Sequence, residues 1–271
     1  MNFLVFIVSL LLYLVATVLF GLGLFFKWAR ATKTGRVLFV GGFLSHLLFT
    51  ALRYVEAGYP PVTNLFESLS FFCLATAACF LYLSRRFGLL YVSFFVSAAI
   101  FLILGFSSFL PREIGPLPPV LRSFWLPIHT IFAFLGNAIF FIAFVVSLLY
   151  VLFERKIKGK RPSFLATEMP ALETLDLINY RCLAVGFLML TTGIVTGSIW
   201  ASFAWGSYWN WDPKETWSLI TWIVYAIIIH NRLTVGWRGK KTAYMMILGF
   251  LCVLVTFLGV NLLIGGLHSY V

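Results

Sequence analysis

Four histidines and a run of tryptophans are the residues of this 271-residue chain best suited to chemistry. His46, His129, His230 and His268 each lie in or beside a long apolar stretch, where an ionisable side chain is costly to hold and is a functional candidate by default. Six of the nine tryptophans fall between Trp200 and Trp222, in the segment Trp200-Ala-Ser-Phe-Ala-Trp205-Gly-Ser-Tyr-Trp209-Asn-Trp211-Asp-Pro-Lys-Glu215-Thr-Trp217-Ser-Leu-Ile-Thr-Trp222. An aromatic belt at the headgroup level accounts for Trp200, Trp217 and Trp222. It accounts less well for Trp205, Trp209 and Trp211, which share a short loop with Gly206, Ser207 and Asn210. Indole faces held in such a loop make a platform for a large planar ligand. His129 follows Trp125 by four residues, about 6 Å along a helix, and His268 follows the last apolar stretch. Both come out level with the tryptophan loop. Taken singly, each histidine is also accounted for as a packed or interfacial residue. As a pair they match the axial ligand set of a haem, one imidazole on each face of the iron. A bare divalent metal wants three or four ligands, and no third histidine or carboxylate pairs obviously with these two.

The remaining polar candidates each have a plain structural reading beside the functional one. His230 lies 13 residues beyond Trp217, about 20 Å deeper. With Arg232 two residues on, it reads equally as an interfacial histidine beside a snorkelling arginine or as a second ligand site. His46 sits about ten residues into the second apolar stretch. Asp212, Pro213 and Glu215 form a helix start signal, with Asp as N-cap, Pro at N1 and Glu at N3, so the tryptophan loop is expected to be fastened to a rigid helix end. Asn64 and Glu67 have capping-box spacing, which is favoured for Glu67 over a proton-relay role. Cys73, Cys79, Cys182 and Cys252 all fall within apolar stretches, without a Cys-x-x-Cys pair. A disulfide framework, a zinc site and a c-type haem attachment site are thereby excluded.

The elements that position these residues follow from composition. Apolar residues make up 61% of the chain and charged residues 11%, against roughly 45–50% and 25% in soluble domains. A span needs about 20 apolar residues, and eight stretches qualify: about 2–25, 37–55, 65–84, 88–109, 125–152, 180–201, 217–236 and 243–264. The first carries no basic residue ahead of its apolar run and no small-residue cleavage site, so it is expected to be a retained anchor. The net charge of +11 reflects basic cytoplasmic loops and not nucleic acid. Sixteen of the 20 Lys and Arg lie in the loops after spans 1, 3, 5 and 7, which puts both termini and the tryptophan loop outside. The expected fold is all-α, a polytopic transmembrane helical bundle forming a single integral-membrane domain over 1–271. Its tryptophan-rich outer loop lies at about 200–217 and its longest cytoplasmic loop at about 153–179, where 170–179 reads as a short surface helix.

The run from Trp205 through Asp212 to Trp217, continuing to Tyr225 and His230-Asn-Arg232, resembles the tryptophan-rich WWD signature of the haem-handling proteins. Within them it is most similar to the CcsA/ResC cytochrome c biogenesis family. Pro60-Pro-Val-Thr-Asn-Leu-Phe-Glu67, His129 and His268 extend the resemblance over most of the chain. The resemblance implies the haem-binding membrane subunit of a system II cytochrome c synthase, with haem b as cofactor. Such a subunit delivers haem across the membrane and presents it for attachment to Cys-x-x-Cys-His sites of apocytochrome c. It implies His129 and His268 as outer axial ligands, His230 as the intramembrane histidine, and Trp205, Trp209, Trp211 and Asp212 as haem-binding residues; it assigns no catalytic residue and no role to His46. The implied partners are a separate CcsB/ResB-type membrane subunit, apocytochrome c and a thiol-reducing protein. The implied location is the bacterial cytoplasmic membrane, or the thylakoid membrane for a plastid-encoded chain.

Three other classes compete. A haem exporter that hands haem to a chaperone is similar to the CcmC proteins, which are shorter and lack both the Lys-Glu-Thr-Trp continuation and the downstream histidine. A secondary transporter is expected to show internal repeats and broken helices, and neither is legible here. A respiratory haem subunit would carry its ligands as in-span pairs.

Overall fold

The computed structural model describes residues 2–85, 87, 89–159 and 170–260. They form eight α-helices: α1 (Asn2–Phe26), α2 (Ala29–Ala57), α3 (Leu65–Ser84), α4 (Leu90–Ser107), α5 (Trp125–Lys158), α6 (Leu172–Trp205), α7 (Pro213–His230) and α8 (Lys240–Leu254). Single π-turns, Asn231–Val235 and Val255–Gly259, continue α7 and α8. With those extensions all eight are long and apolar enough to cross a membrane, and no strand occurs among the described residues. The all-α, eight-span expectation is met. Helices suit this solvent because every backbone donor and acceptor is satisfied within the segment.

Several boundaries differ from the apolar stretches. α2 begins at Ala29, so Lys33 and Arg36 belong to the helix and not to a loop. α6 begins at Leu172 and absorbs the short surface helix expected at 170–179. α5 and α6 each have 34 residues, about 50 Å of helix against a hydrocarbon core of about 30 Å. Apolar runs mark the membrane-embedded part, whereas backbone hydrogen bonding continues through charged residues that reach into the headgroups.

The chain divides into two compact units, Met1–Leu117 and Pro118–Val271. In the first, α1 buries Phe6, Ser9, Tyr13, Ala16, Phe20 and Gly23, steps of three and four that draw one helical face. Phe6, Phe49 and Phe66 pack edge-on and tilted, with ring centroids 5.2–6.1 Å apart. Asn64 caps α3 by accepting from the Glu67 N–H at 2.9 Å. The Glu67 carboxylate accepts in turn from the Thr63 N–H and hydroxyl, both at 2.9 Å, and from Arg53 Nε at 2.7 Å. Half of the capping-box reading is met: Asn64 caps the Glu67 N–H, whereas the Glu67 carboxylate reaches Thr63, one residue before the cap, and Arg53, a partner that spacing did not show. Arg53 belongs to α2 and is buried, not part of an outer loop. His46 is fully buried in this unit, its Nε2 2.9 Å from the Ser70 hydroxyl.

In the second unit α5 and α6 run against each other, with α7 and α8 packed beside them. Phe140 of α5 lies flat on Tyr225 of α7, with centroids 3.5 Å apart and planes within 5°. Phe144 packs on Phe250 of α8 at 4.8 Å.

Candidate functional site

α6 ends at Trp205 because Gly206 takes the left-handed conformation (φ 75°), its N–H returning to the Ser202 carbonyl at 3.1 Å. That conformation is open to glycine without a steric cost. The loop then crosses to α7 in six residues, tied at three points. The Ser198 hydroxyl donates to the Tyr208 carbonyl at 2.8 Å, bringing the loop back onto α6. The Ser207 hydroxyl donates to the Trp209 carbonyl at 3.0 Å. Glu215 Oε2 accepts from the N–H groups of Asn210, at 2.7 Å, and Asp212, at 3.3 Å. Asp212 Oδ1 caps the Lys214 N–H at 2.9 Å, completing a capping box with Glu215. The helix-start reading of Asp212-Pro-Lys-Glu215 is met in full. Asp212 is itself buried, so its carboxylate shapes the loop end.

The tryptophans sort into two groups. Trp205 and Trp209 are half-buried, while Trp211 is 70% exposed and holds φ at +56°. Trp209 and Trp211 meet nearly at right angles, with centroids 5.9 Å apart. Trp200 does not belong to a belt: it is 2% exposed, its indole N–H donates to the Val120 carbonyl at 3.3 Å, and it meets Trp205 at 4.8 Å. Trp200 also meets His129, whose ring stacks on it at 6.0 Å with planes within 13°. The result is a ladder of His129, Trp200 and Trp205 leading to the loop. Trp222 is half-buried inside the unit, its indole donating to the Thr191 hydroxyl at 2.9 Å.

His129 stands in the second turn of α5, with Nδ1 2.7 Å from the Gly193 carbonyl of α6. A carbonyl only accepts, so Nδ1 carries the proton and Nε2 of the neutral ring keeps its lone pair. A backbone carbonyl on one ring nitrogen is the usual support of a metal-ligating histidine, fixing the tautomer and raising ligand basicity. The donor chemistry thus fits an iron ligand. His268 lies outside the described residues.

The other end of α7 carries His230, which is exposed, about 25 Å of helix from Pro213. Arg232, two residues on, does not snorkel. Its guanidinium forks onto Asp176 of α6 at 2.9 and 2.6 Å and covers the Tyr180 ring. Asp176 also accepts from the Gly239 N–H at 2.7 Å. One carboxylate thus joins α6, the turn after His230 and the start of α8. The structure therefore places His129, Trp200 and Trp205 together and keeps His230 apart from them. Trp200 and the Gly193 carbonyl were missed by sequence reasoning. For Trp200 a signal existed, since residues 193, 197 and 200 fall on one face of a helix; a backbone carbonyl leaves none. Among the described residues no three His, Cys, Asp or Glu side chains converge as a metal cluster.

An eight-helix membrane bundle with a capped tryptophan loop over a carbonyl-oriented histidine defines a class that comparison makes specific. The family described as "Cytochrome C assembly protein" matches residues 62–268. The cytochrome c biogenesis protein CcsA of Guillardia theta is 35% identical over 288 residues, covering 97% of this chain and 94% of that one. CcsA of Cyanophora paradoxa is 36% identical over 309 residues, covering 97% and 95%, and that of Prochlorococcus marinus (strain NATL2A) 37% over 259 residues, covering 84% and 82%. The chain belongs to the CcsA family of cytochrome c biogenesis proteins. Among solved structures, the cytochrome c haem lyase CcmF superposes with a TM-score of 0.74 at 17% identity, over 94% of this chain. The chain spans about half the length of that protein, 46% of it, and shares its fold.

Proposed function

We propose that the chain is the haem-binding membrane subunit of a system II cytochrome c synthase, which delivers haem b across the membrane and presents it for covalent attachment to Cys-x-x-Cys-His sites of apocytochrome c. The observation that carries this reading is the 2.7 Å contact of His129 Nδ1 with the Gly193 carbonyl, which reserves Nε2 for a metal. Its setting supports the reading: the ring is stacked on Trp200, which touches Trp205 at the root of the loop. His129 and His268 ligate the iron at the outer site. Trp205, Trp209 and Trp211 cover the porphyrin and exclude water, and Asp212 acts by holding the loop end. Haem brings to this site the iron that the imidazoles hold and the peripheral groups to which the apocytochrome thiols add.

His230 ligates haem at an inner site, and its exposure leaves it open to a ligand from a CcsB/ResB-type partner subunit. His46 does not suit that role, being fully buried and bonded to Ser70. A thiol-reducing protein keeps the apocytochrome cysteines available. Both termini and the tryptophan loop face outward, in a bacterial cytoplasmic membrane or a thylakoid membrane.

The test is an absorption spectrum of the purified chain with its partner, together with cytochrome c maturation in cells. His129→Gly and His268→Gly each abolish maturation, and added imidazole restores part of it by filling the vacated axial position. Normal maturation in both variants refutes the outer site.

A further inference from the structure

We propose that Gly197 is a positioning residue for the ligand histidine: its bare Cα makes the slot in α6 that holds the His129 ring with Nδ1 on the Gly193 carbonyl. The inference rests on the haem site proposed above and deepens it. A Cβ at 197 would stand 2.6 Å from His129 Nδ1, 2.7 Å from Cε1 and 3.4 Å from Cγ. The first two separations are shorter than real Cβ contacts allow, so the ring would have to move. It has little room to do so. Trp200 stacks on it, and Trp200 is fixed by its indole bond to Val120 and by Trp205. Gly193, Gly197 and Trp200 stand at i, i+4 and i+7 on one helix face. Together they give the slot a carbonyl at its base, an open wall and an indole across its top.

Small residues at helix contacts in membranes ordinarily let two backbones approach. Gly193 does so, since a Cβ there would lie 3.2 and 3.3 Å from the Ala133 backbone. At Gly197 the group that approaches is the imidazole itself. Gly186 supplies a matched comparison on the same pair of helices. A Cβ there would meet the Phe140 ring at 2.6 Å, an equal intrusion, but about 16 Å along the helix from Gly197 and away from His129.

Haem is titrated into the full chain in nanodiscs, and axial ligation is read from the visible and EPR spectra. Gly197→Ala is expected to weaken outer-site haem about 10–100-fold, the usual cost of losing a ligand's supporting contact. It is also expected to convert low-spin iron to high-spin, with added imidazole restoring the low-spin spectrum. Gly186→Ala is expected to leave affinity and spin state unchanged. If Gly197→Ala does not fold, Gly197→Ala with Trp200→Leu gives the ring room on its other face, so folding recovers while the low-spin spectrum does not. Wild-type affinity and spin state in either folded 197 variant overturn the inference, as does an equal loss in Gly186→Ala. Retention of outer haem in His129→Gly overturns the site itself; its loss there with full binding in Gly197→Ala overturns only the role of Gly197.

Discussion

Replacing Glu215 with Ala removes the acceptor on which the tryptophan loop hangs. Glu215 is 9% exposed, and its carboxylate takes the Asn210 N–H at 2.7 Å and the Asp212 N–H at 3.3 Å. A hydrogen bond to a charged group contributes about 1.5–3 kcal/mol and an ordinary one about 1. With the shorter contact in the first class and the longer in the second, the loop loses about 2.5–4 kcal/mol against local opening. At 1.4 kcal/mol per tenfold, amide exchange at Asn210 and Asp212 rises about 60- to 700-fold, while the Tyr225 amide in the middle of α7 is unchanged. Glu215→Gln keeps an oxygen in the same place and loses only its charge, about 1 kcal/mol, so exchange rises about fivefold. Hydrogen–deuterium exchange at single-residue resolution in nanodiscs measures all three sites. Exchange at Asn210 and Asp212 within twofold of wild type in Glu215→Ala would show that the loop is held by something else.

Two further outcomes follow from groups already described. Glu67→Ala leaves the Arg53 guanidinium buried without its counter-charge and costs about 3–5 kcal/mol, read as a lowered melting temperature in detergent; an unchanged midpoint refutes it. Trp211→Gly removes a left-handed conformation that costs a non-glycine residue about 1–2 kcal/mol, from a side chain that is 70% exposed. Its melting temperature therefore holds or rises, while outer-site haem weakens up to about tenfold, the worth of one aromatic contact; unchanged haem affinity removes Trp211 from the platform.

The eight helices and the capped start of α7 were legible because each rests on local signals: apolar run length for the spans, and three side chains within four residues for the cap. His129 was legible as a candidate through its position near the head of a span. Its orientation was not, because the group that fixes it is a main-chain carbonyl 64 residues away, which has no residue type to read. Trp200 reads as a headgroup-belt residue because the type favours that level; its burial depends on the packing of α6 against the 3-10 turn Pro119–Leu121. The snorkelling reading of Arg232, one of two alternatives for this helix end, has a similar source. The arginine's partner Asp176 is 56 residues distant and lies in the segment 170–179, which reads as a surface helix separate from the sixth span.

The two carboxylates at the ends of α7 have a joint mechanical meaning. Glu215 ties the helix to the tryptophan loop, and Asp176 clasps the turn beyond its far end. Between them Thr221, Tyr225 and Ile228 are buried, with Tyr225 flat on Phe140 and the Trp222 indole bonded to Thr191, so the helix is anchored at its tips and seated on its neighbours along its length. Such an element is a fixed spacer between the two ends it joins. The tryptophan loop and His230 thus stand at opposite ends of one continuous helix about 25 Å long, so their separation is set by helix length and not by loop conformation.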